Sequence, residues 1–338
     1  MLKWIKRLAL LLLVLVVVAA GTGWWLLRGS VPRLEGELAL PGLSAPVSLQ
    51  RDANGVVTID AASDTDLARA LGYVHAQERY FEMDLMRRSS AGELSELFGA
   101  VALNMDKERR THRMRARVMH DLPAFVGDKL PQLQAYADGV NLYAAQHPEQ
   151  VAPSALPMTG QDVAAGFLFK MPFFYGLDKT LKQVFEGQAK LVKTPTGSNG
   201  VAVAPGRSSD GVTRLLVNSH QPYTGPVAWY EAVLESGEGW HVAGGFFPGS
   251  PFLLHGHNPH LGWANTVNAP DLADVYELTI NPDNPDQYRL DGQWRDLHKS
   301  TAWLWVKLWG PLLLPVPKTV YQAAAGHGDL PWPPRCQA

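Results

Sequence analysis

A serine that follows a glycine stands where the character of this chain changes. After Ser198 the hydrophobic pattern takes a period of two, which is typical of β-strands. Cleavage between Gly197 and Ser198 would leave a serine that carries both a hydroxyl group and a free α-amine. Because such an amine titrates near pH ~7.7–8.0, it can accept the hydroxyl proton at neutral pH. By itself this stretch is typical of an ordinary turn, and an N-terminal serine nucleophile is the chemical alternative that the rest of the chain has to support.

Strand pairing predicts a histidine close to this serine. Two strand patterns, 198–203 and 214–218, flank a turn at residues 208–211. Residues equidistant from a tight turn face each other in an antiparallel pair. We therefore expect His220 to lie near Ser198. A loop histidine is otherwise an ordinary surface residue, so the hairpin is what favours a functional interpretation.

Composition excludes several classes of protein. The chain has 338 residues, a formal net charge of −2 and a single cysteine, Cys336. A chain of this length can bury a sizeable core. The net charge and the absence of a basic run give no reason to expect binding to nucleic acid. A single cysteine supports neither an intramolecular disulfide nor a cysteine-ligated metal site.

The N-terminus has the pattern of a targeting segment. Residues 8–27 are uncharged and mostly apolar, which is long enough to span a bilayer as a helix. Three positive charges precede this run: Lys3, Lys6 and Arg7. Because such charges stay in the cytoplasm, we expect residues 1–28 to be a signal anchor in the inner membrane or a signal peptide, with a periplasmic or otherwise extracytoplasmic body. Trp24 and Trp25 favour the anchor, while residues 18–20 form a tolerable cleavage site.

The elements on the two sides of Ser198 differ in type. Before it, a strand hairpin with an Asn54-Gly55 turn is predicted at 47–60, and Ser63 is predicted to cap a long helix. Further helices are predicted at 104–120, 131–146, 161–169 and 177–192. After it, strands are predicted at 229–234, 240–243 and 271–280, with a hairpin turn at 290–294. Helices followed by strands predict an α+β architecture.

An ordered set of motifs carries a resemblance to a known family. The motifs are Asp52-Ala-Asn-Gly-Val-Val-Thr-Ile, Leu71-Gly-Tyr-Val-His-Ala-Gln-Glu-Arg, Gly92-Glu-Leu-Ser-Glu-Leu-Phe-Gly, Gly197-Ser-Asn, Asn218-Ser-His, Pro248-Gly-Ser-Pro, Gly256-His-Asn and the acidic stretch 271–274. Together they resemble the penicillin amidase family of N-terminal-nucleophile hydrolases, and are most similar to its acyl-homoserine-lactone acylase branch. The resemblance implies an α+β fold of the αββα sandwich type, incomplete in this chain, behind an N-terminal membrane-spanning helix.

The resemblance also implies roles for individual residues. Ser198 matches the serine that is freed by self-cleavage and then becomes acylated. His220 matches a residue that contacts the new amine. Val267 matches the residue whose backbone N–H forms half of the oxyanion hole, the group of donors that stabilises the negative charge of the tetrahedral intermediate.

A structural calcium ion is the one cofactor that the resemblance implies, and no organic cofactor is expected. Asp271, Ala273 and Asp274 match residues that hold calcium in penicillin acylases. Because calcium takes six or more oxygen ligands, two carboxylates and one carbonyl do not by themselves make a site. His255 and His257 raise the alternative of zinc, but no carboxylate or fourth ligand has suitable spacing.

The resemblance further implies a domain plan and a reaction. Residues 29–190 match a helical α chain, 191–197 a spacer, and 198–322 the start of a β chain. Residues 323–338 depart from the family pattern, so we expect a chain truncated at its C-terminus. Self-cleavage would give an α/β heterodimer. The expected reaction is hydrolysis of non-peptide carbon–nitrogen bonds in linear amides, with small-molecule acyl amides as substrates and an acyl-enzyme at Ser198.

Two other functions fit parts of the sequence. The first is an inactive truncated fragment or a membrane-anchored pseudoenzyme, which the departure after residue 322 favours. The second is a β-rich module that binds sugars or peptides, which only the count of 11 tryptophans suggests and no motif supports.

Overall fold

The structure is a computed structural model that describes residues 2–29, 35–112, 115, 120, 122, 126–155, 157–174, 197–225, 227–266, 276–323 and 336–337. The chain forms two compact units, Met1–Pro41 and Gly42–Ala338. The predicted helix at 177–192 and most of the predicted spacer lie outside the described residues.

The first unit contains one long helix, α1 (Leu2–Gly29). Its segment Lys3–Arg28 has a mean hydropathy of 2.4 over its most apolar window, and no side chain in that window is buried. The segment is long and apolar enough to cross a membrane. A membrane anchor and a signal sequence share this length and composition, so the helix fits either form of the prediction.

The second unit opens with the predicted hairpin. Strand β1 (Ser48–Arg51) pairs antiparallel with β2 (Val57–Ala61). Asp52 closes the turn, because its Oδ1 accepts hydrogen bonds from the backbone N–H groups of Asn54 and Val56, each at 2.9 Å. Side-chain acceptors of this kind favour turns over continued strands. The hairpin prediction is confirmed.

The predicted long helix follows as α2 (Asp64–Ala91). It begins as expected, since Ser63 Oγ accepts a hydrogen bond from Asp66 N at 3.1 Å. It ends at Gly92, whose φ of 68° is the left-handed conformation that glycine adopts without strain. Its large apolar side chains are buried at five positions and half-buried at Tyr80; the five are Leu67, Leu71, Val74, Met83 and Met86.

Four more α-helices follow whose bounds lie within the described residues. They are α3 (Ser95–Phe98), α4 (Leu103–His112), α5 (Leu130–Gln146) and α6 (Gly160–Phe174), with a 3₁₀ turn at Gly99–Ala102 between the first two. The helices predicted to begin near residues 104, 131 and 161 are confirmed to within one residue of their starts.

Helices α2 and α5 pack with their backbones in contact. A methyl carbon added to Gly72 would lie 2.0 Å from the carbonyl oxygen of Tyr136, and one added to Gly139 would lie 2.0 Å from that of Arg69. Only glycine fits at positions 72 and 139, because any side chain there would overlap the backbone of the facing helix. The close approach brings Tyr136 Oη to 2.7 Å from Nδ1 of the buried His75.

The hairpin that carries Ser198 forms a two-stranded sheet of its own. Strand β3 (Ser198–Val203) pairs antiparallel with β4 (Arg214–Ser219), and Ser198 lies opposite Ser219. The predicted pairing and turn are confirmed.

A six-stranded sheet forms the centre of the second unit. Strands β5 (Tyr230–Ser236), β6 (His241–Phe246), β7 (Leu253–His257) and β8 (Gly262–Trp263) join β1 and β2 in the order β1-β2-β5-β6-β7-β8. The β2–β5 pair is parallel and the other neighbours are antiparallel. Helix α2 packs against β2 and β5, so the α+β prediction is confirmed.

Three-stranded sheets follow on the C-terminal side. The first contains β9 (Ile280–Asn281), β10 (Asn284–Leu290) and β11 (Gln293–Asp296), and the second contains β12 (His298–Trp309), β13 (Leu312–Ala323) and β14 (Cys336–Gln337). The predicted turn near residue 291 is confirmed. The strand predicted at 271–280 is wrong for residues 276–279, which are not in a strand although Thr279 O accepts a hydrogen bond from Arg289 N of β10, and 271–275 lie outside the described residues. The long β12–β13 hairpin was not predicted.

A lysine on α6 is buried, and the acceptor of its described hydrogen bond is a backbone carbonyl and not a carboxylate. Lys170 is 1% exposed, and its Nζ donates to the carbonyl oxygen of Pro248 at 3.0 Å. Burial lowers the pKa of Lys170 from its ordinary 10.5 to about 7. Burial, with the charge of Lys170 as the second cause, lowers the pKa of His75 to about 3.

This lysine gives the protein a pH-dependent stability. Between about pH 7 and 10.5 the unfolded lysine is protonated while the folded one is neutral, so unfolding takes up a proton and the free energy of unfolding rises with pH. One proton corresponds to about 1.4 kcal/mol per pH unit. We expect Lys170→Met to remove this slope in urea denaturation between about pH 7.5 and 9.5, while Lys107→Met, at an exposed position, keeps it. An unchanged slope in Lys170→Met would contradict a neutral buried lysine.

Candidate active site

Ser198 is the first residue of β3 and is half-buried. Its Oγ donates a hydrogen bond to the carbonyl oxygen of Gly197 at 2.8 Å. The hydroxyl therefore lies beside the peptide bond that it would have to attack in self-cleavage. The strand begins at this residue because pairing with β4 begins here, with Ser198 opposite Ser219.

His220 follows the last residue of β4, and the pairing brings it to the same peptide bond. Its backbone N–H donates to the Gly197 oxygen at 3.4 Å. A methyl carbon placed on Gly197 would lie 3.5 Å from His220 Nδ1, so the ring lies beside the glycine. His220 Nε2 lies 3.2 Å from Asn199 Nδ2. Because an amide nitrogen only donates, His220 Nε2 is the acceptor in this contact.

The Gly197 oxygen is thus the acceptor for two donors, the Ser198 hydroxyl and the His220 backbone N–H. Negative charge develops on a carbonyl oxygen when a nucleophile adds to its carbon. Of the two donors, only the His220 N–H can stabilise that charge as it forms, because the Ser198 hydroxyl is the group that adds. The arrangement can therefore support addition of the serine to its own preceding peptide bond.

The hairpin also lies against the segment that leads to Val267. A methyl carbon on Gly200 would be 3.3 Å from Ala264 Cβ, and one on Gly262 would be 2.8 Å from Leu215 Cδ2. Strands β3 and β4 thus contact residues 262–264. These glycines permit the close approach of the two segments.

The remaining predicted site residues cannot be placed. Val267, Asp271, Ala273 and Asp274 lie outside the described residues, so the oxyanion donor and the calcium ligands stay predictions. In the part of the chain that the structure describes, no group of three or more His, Cys, Asp or Glu side chains could hold a metal ion.

Sequence reasoning missed the aromatic side chains that surround the serine hairpin. Trp229 Nε1 donates to Ser219 Oγ at 2.5 Å, and the indole stacks on Phe247 with ring centroids 4.4 Å apart. The His255 ring makes an edge-type contact with the same indole, with ring centroids 4.7 Å apart. Ser219 could have been found as the residue opposite Ser198. Trp229 lies just before β5 of another sheet, and no sequence pattern connects it to the hairpin.

Comparison with known proteins gives consistent matches. The family model described as penicillin amidase matches residues 46–327. The acyl-homoserine lactone acylase PvdQ of Pseudomonas fluorescens (strain Pf0-1) is 27% identical over 336 residues, covering 86% of this chain and 42% of the relative. The penicillin acylase 2 proenzyme of Pseudomonas sp. (strain SE83) is 42% identical over 127 residues, covering 38% of this chain and 16% of the relative.

Among solved structures, a thermostable penicillin G acylase from Alcaligenes faecalis is 24% identical, with a TM-score of 0.32, covering 45% of this chain and 95% of that chain. A TM-score of that size supports no argument. The chain spans well under half the length of the two curated relatives, 42% and 16%.

Proposed function

The chain belongs to the penicillin amidase family, and from that premise we propose that it is an exported serine amidohydrolase that cleaves itself between Gly197 and Ser198 and then hydrolyses acyl amides. By family it is a hydrolase of the acylase class. The observation that carries the proposal is the position of the Ser198 hydroxyl, 2.8 Å from the Gly197 oxygen, with the His220 N–H directed at the same oxygen.

In the proposed self-cleavage, Ser198 Oγ adds to the carbonyl carbon of Gly197. The bond from that carbon to the Ser198 nitrogen then breaks, and the hydroxyl proton passes to this nitrogen, which leaves as an amine. Water hydrolyses the resulting ester, giving a Gly197 carboxylate and a Ser198 with free hydroxyl and amine. The His220 N–H stabilises the oxygen that becomes negative during the addition.

In the proposed amide hydrolysis, the new α-amine of Ser198 accepts the hydroxyl proton as Oγ adds to the substrate carbonyl. The substrate amine leaves with that proton, and water releases the acyl group from Ser198. The backbone N–H of Val267 serves as one donor to the substrate oxyanion, and His220 orients the α-amine. Loss of one oxyanion donor typically lowers the rate on the order of 10²–10³-fold.

The substrate class and the assembly follow from the same proposal. Two relatives are named for penicillin and for acyl-homoserine lactones, so the substrates are amides whose acyl group is the recognised part. After cleavage the chain forms an α/β heterodimer.

The packing of α2 on the six-stranded sheet supports one half of an αββα sandwich.

Hydrolysis of p-nitroanilides of phenylacetic acid and of medium-chain fatty acids tests the activity. We expect release of nitroaniline by the wild type and loss of activity in Ser198→Ala on the order of 10⁴-fold or more, as for removal of other serine nucleophiles. Ser300→Ala, at an exposed serine on β12, serves as the matched control. Equal rates in the wild type and Ser198→Ala would refute the nucleophile. A folded wild type without activity or self-cleavage would support the pseudoenzyme instead.

Export is proposed on the segment Lys3–Arg28 and the positive charges near its start. We expect protease added to spheroplasts to digest the body of the protein, and removal of residues 2–28 to leave the protein protected in the cytoplasm. Protection of the full-length chain in intact spheroplasts would contradict export.

A further inference from the structure

The type of strand pairing at the start of β3 brings two serine side chains together. The backbone N–H of His220 donates to the Gly197 oxygen at 3.4 Å, so residues 197 and 220 form a hydrogen-bonded pair of the ladder. The next pair, Ser198 and Ser219, is therefore of the non-hydrogen-bonded kind. In such a pair the two side chains lie on the same face, with Cβ atoms about 4.5–5.5 Å apart or slightly closer. The Ser219 hydroxyl is thus within reach of the Ser198 hydroxyl.

Self-cleavage would remove the contacts that now hold Ser198. In the uncleaved chain its Oγ donates to the Gly197 oxygen at 2.8 Å, and the pairing of Gly197 with His220 fixes the preceding peptide. Cleavage separates Gly197 from the strand, so neither contact holds Ser198 any longer. The next hydrogen-bonded pair of the ladder is Asn199 with Asn218. The new first residue therefore faces β4 without a ladder bond of its own, and chain ends of this kind are poorly ordered unless a contact fixes them.

The Ser219 hydroxyl is itself held by a tryptophan from another sheet. Trp229 Nε1 donates to Ser219 Oγ at 2.5 Å. An indole N–H can only donate, so it occupies a lone pair of the hydroxyl oxygen and leaves the hydroxyl proton to be donated elsewhere. Ser219 is thereby directed to act as a donor.

The Trp229 indole is fixed on the central sheet. It stacks on the buried Phe247, with ring centroids 4.4 Å and an interplanar angle of 16°. A methyl carbon added to Gly245 would lie 2.9 Å from Trp229 Cε3, so the indole lies directly on the backbone of β6. The His255 ring on β7 contacts it with ring centroids 4.7 Å apart. These contacts determine the direction in which the indole presents its N–H.

We propose that Ser219 is a positioning residue: in the cleaved protein its hydroxyl, held by Trp229, donates a hydrogen bond to Ser198 Oγ. A hydroxyl has one donor and two acceptor lone pairs, so Ser198 Oγ can accept this bond and still donate its proton to its own α-amine. The bond keeps the Ser198 side chain in one of its three staggered rotamers. The inference rests on the proposed function, since it presumes amide hydrolysis at Ser198.

The test compares two rates in the same set of variants. The rate of self-cleavage is followed by mass spectrometry after cell-free synthesis. The kcat and KM for p-nitroanilide hydrolysis are normalised to the fraction of chains that begin at Ser198. The variants are Ser219→Ala, Ser219→Thr, Trp229→Phe and the double variant Ser219→Ala/Trp229→Phe. The matched controls are Ser300→Ala, at an exposed serine, and Trp240→Phe, at a tryptophan that is 48% exposed.

Ser219→Ala is expected to separate the two rates. We expect kcat to fall about 10- to 10²-fold, the size of effect that follows a misplacement of the reacting group by about 1 Å. We expect KM to change less than about threefold, because the hydroxyl acts on the nucleophile and not on the bound substrate. The loss in kcat should exceed the loss in the rate of self-cleavage by about tenfold or more, because the pairing of Gly197 with His220 still holds Ser198 before cleavage.

The other variants identify the group responsible. Ser219→Thr keeps the hydroxyl and should retain kcat within about threefold of the wild type. Trp229→Phe keeps a ring against Phe247 but loses the N–H, so it should lower kcat by less than Ser219→Ala does. The double variant should be no slower than Ser219→Ala alone, because Trp229 acts through Ser219 and the two losses do not add. Both controls should match the wild type.

Wild-type kcat in Ser219→Ala would overturn the inference. Equal losses of kcat and of the rate of self-cleavage would also overturn it, because the bond between Ser219 and Trp229 would then only attach the hairpin to the central sheet. If Ser219→Ala does not fold, Trp229→Phe beside Trp240→Phe decides by the same comparison of rates. Failure of the proposed function gives a different result, since hydrolysis would then be the same in the wild type and Ser198→Ala.

Discussion

Ser198→Ala is expected to purify without a break between Gly197 and residue 198, while the wild type separates there into two fragments, the second beginning at Ser198. The reason is geometric, because the Ser198 hydroxyl lies 2.8 Å from the Gly197 oxygen and alanine removes this nucleophile. The backbone donor from His220 remains in the variant, but it stabilises a charge that no longer forms. Intact-mass spectrometry of both proteins measures the result.

Two further variants make this test specific. Ser198→Cys keeps a nucleophile at the same position and is expected to cleave, since a thiol is intrinsically a strong nucleophile. Ser209→Ala changes an exposed serine in the turn between β3 and β4 and should cleave as the wild type does. A fragment that begins at residue 198 in the alanine variant would show that another group cuts the bond.

Asp84→Asn is expected to lower the free energy of unfolding by about 3–5 kcal/mol, the range for breaking a buried ion pair. The Asp84 carboxylate accepts from Arg88 Nε at 2.8 Å and from Arg87 at 3.3 Å. Arg88 is fully buried and Arg87 is 3% exposed. The amide keeps the volume of the carboxylate but removes its charge, so two buried guanidinium groups lose their shared partner.

The other partners of the two arginines do not replace Asp84. Glu96 pairs with Arg88 at 2.8 Å and Glu93 with Arg87 at 2.9 Å, so each guanidinium keeps one carboxylate and loses one. Urea denaturation of Asp84→Asn beside Asp128→Asn measures the effect. Asp128 has a side chain that is 87% exposed, and an exposed pair contributes only about 0–1 kcal/mol. An equal change in the free energy of unfolding in both variants would show that burial of the Asp84 ion pairs does not matter for stability.

Local elements could be predicted because short stretches of sequence contain their causes. The turn at Asp52, the cap at Ser63 and the pairing of Ser198 with Ser219 each depend on residues that are neighbours in the chain or are joined by one turn. His220 was placed near the serine for the same reason, because its distance along the hairpin determines its position. The failure at 276–279 has the matching explanation, since a strand needs a continuous ladder of backbone hydrogen bonds and only Thr279, which accepts from Arg289 N at 2.9 Å, has a described one.

Contacts between elements depended on the tertiary structure. Sequence periodicity predicts which face of an element is buried. It does not predict that Trp229 donates to Ser219 on another sheet, or that His255 accepts a hydrogen bond from Asn265. Lys170 and Arg88 look like ordinary charged residues on helices, yet both are buried. Packing places the Pro248 carbonyl beside Lys170, whereas Asp84, a partner of Arg88, lies one turn earlier on the same helix. By itself the sequence determined the nucleophile hairpin and the family resemblance. The packing of separate elements decided which polar groups surround that hairpin, since a hydrogen bond between distant residues exists only after both elements have packed in place.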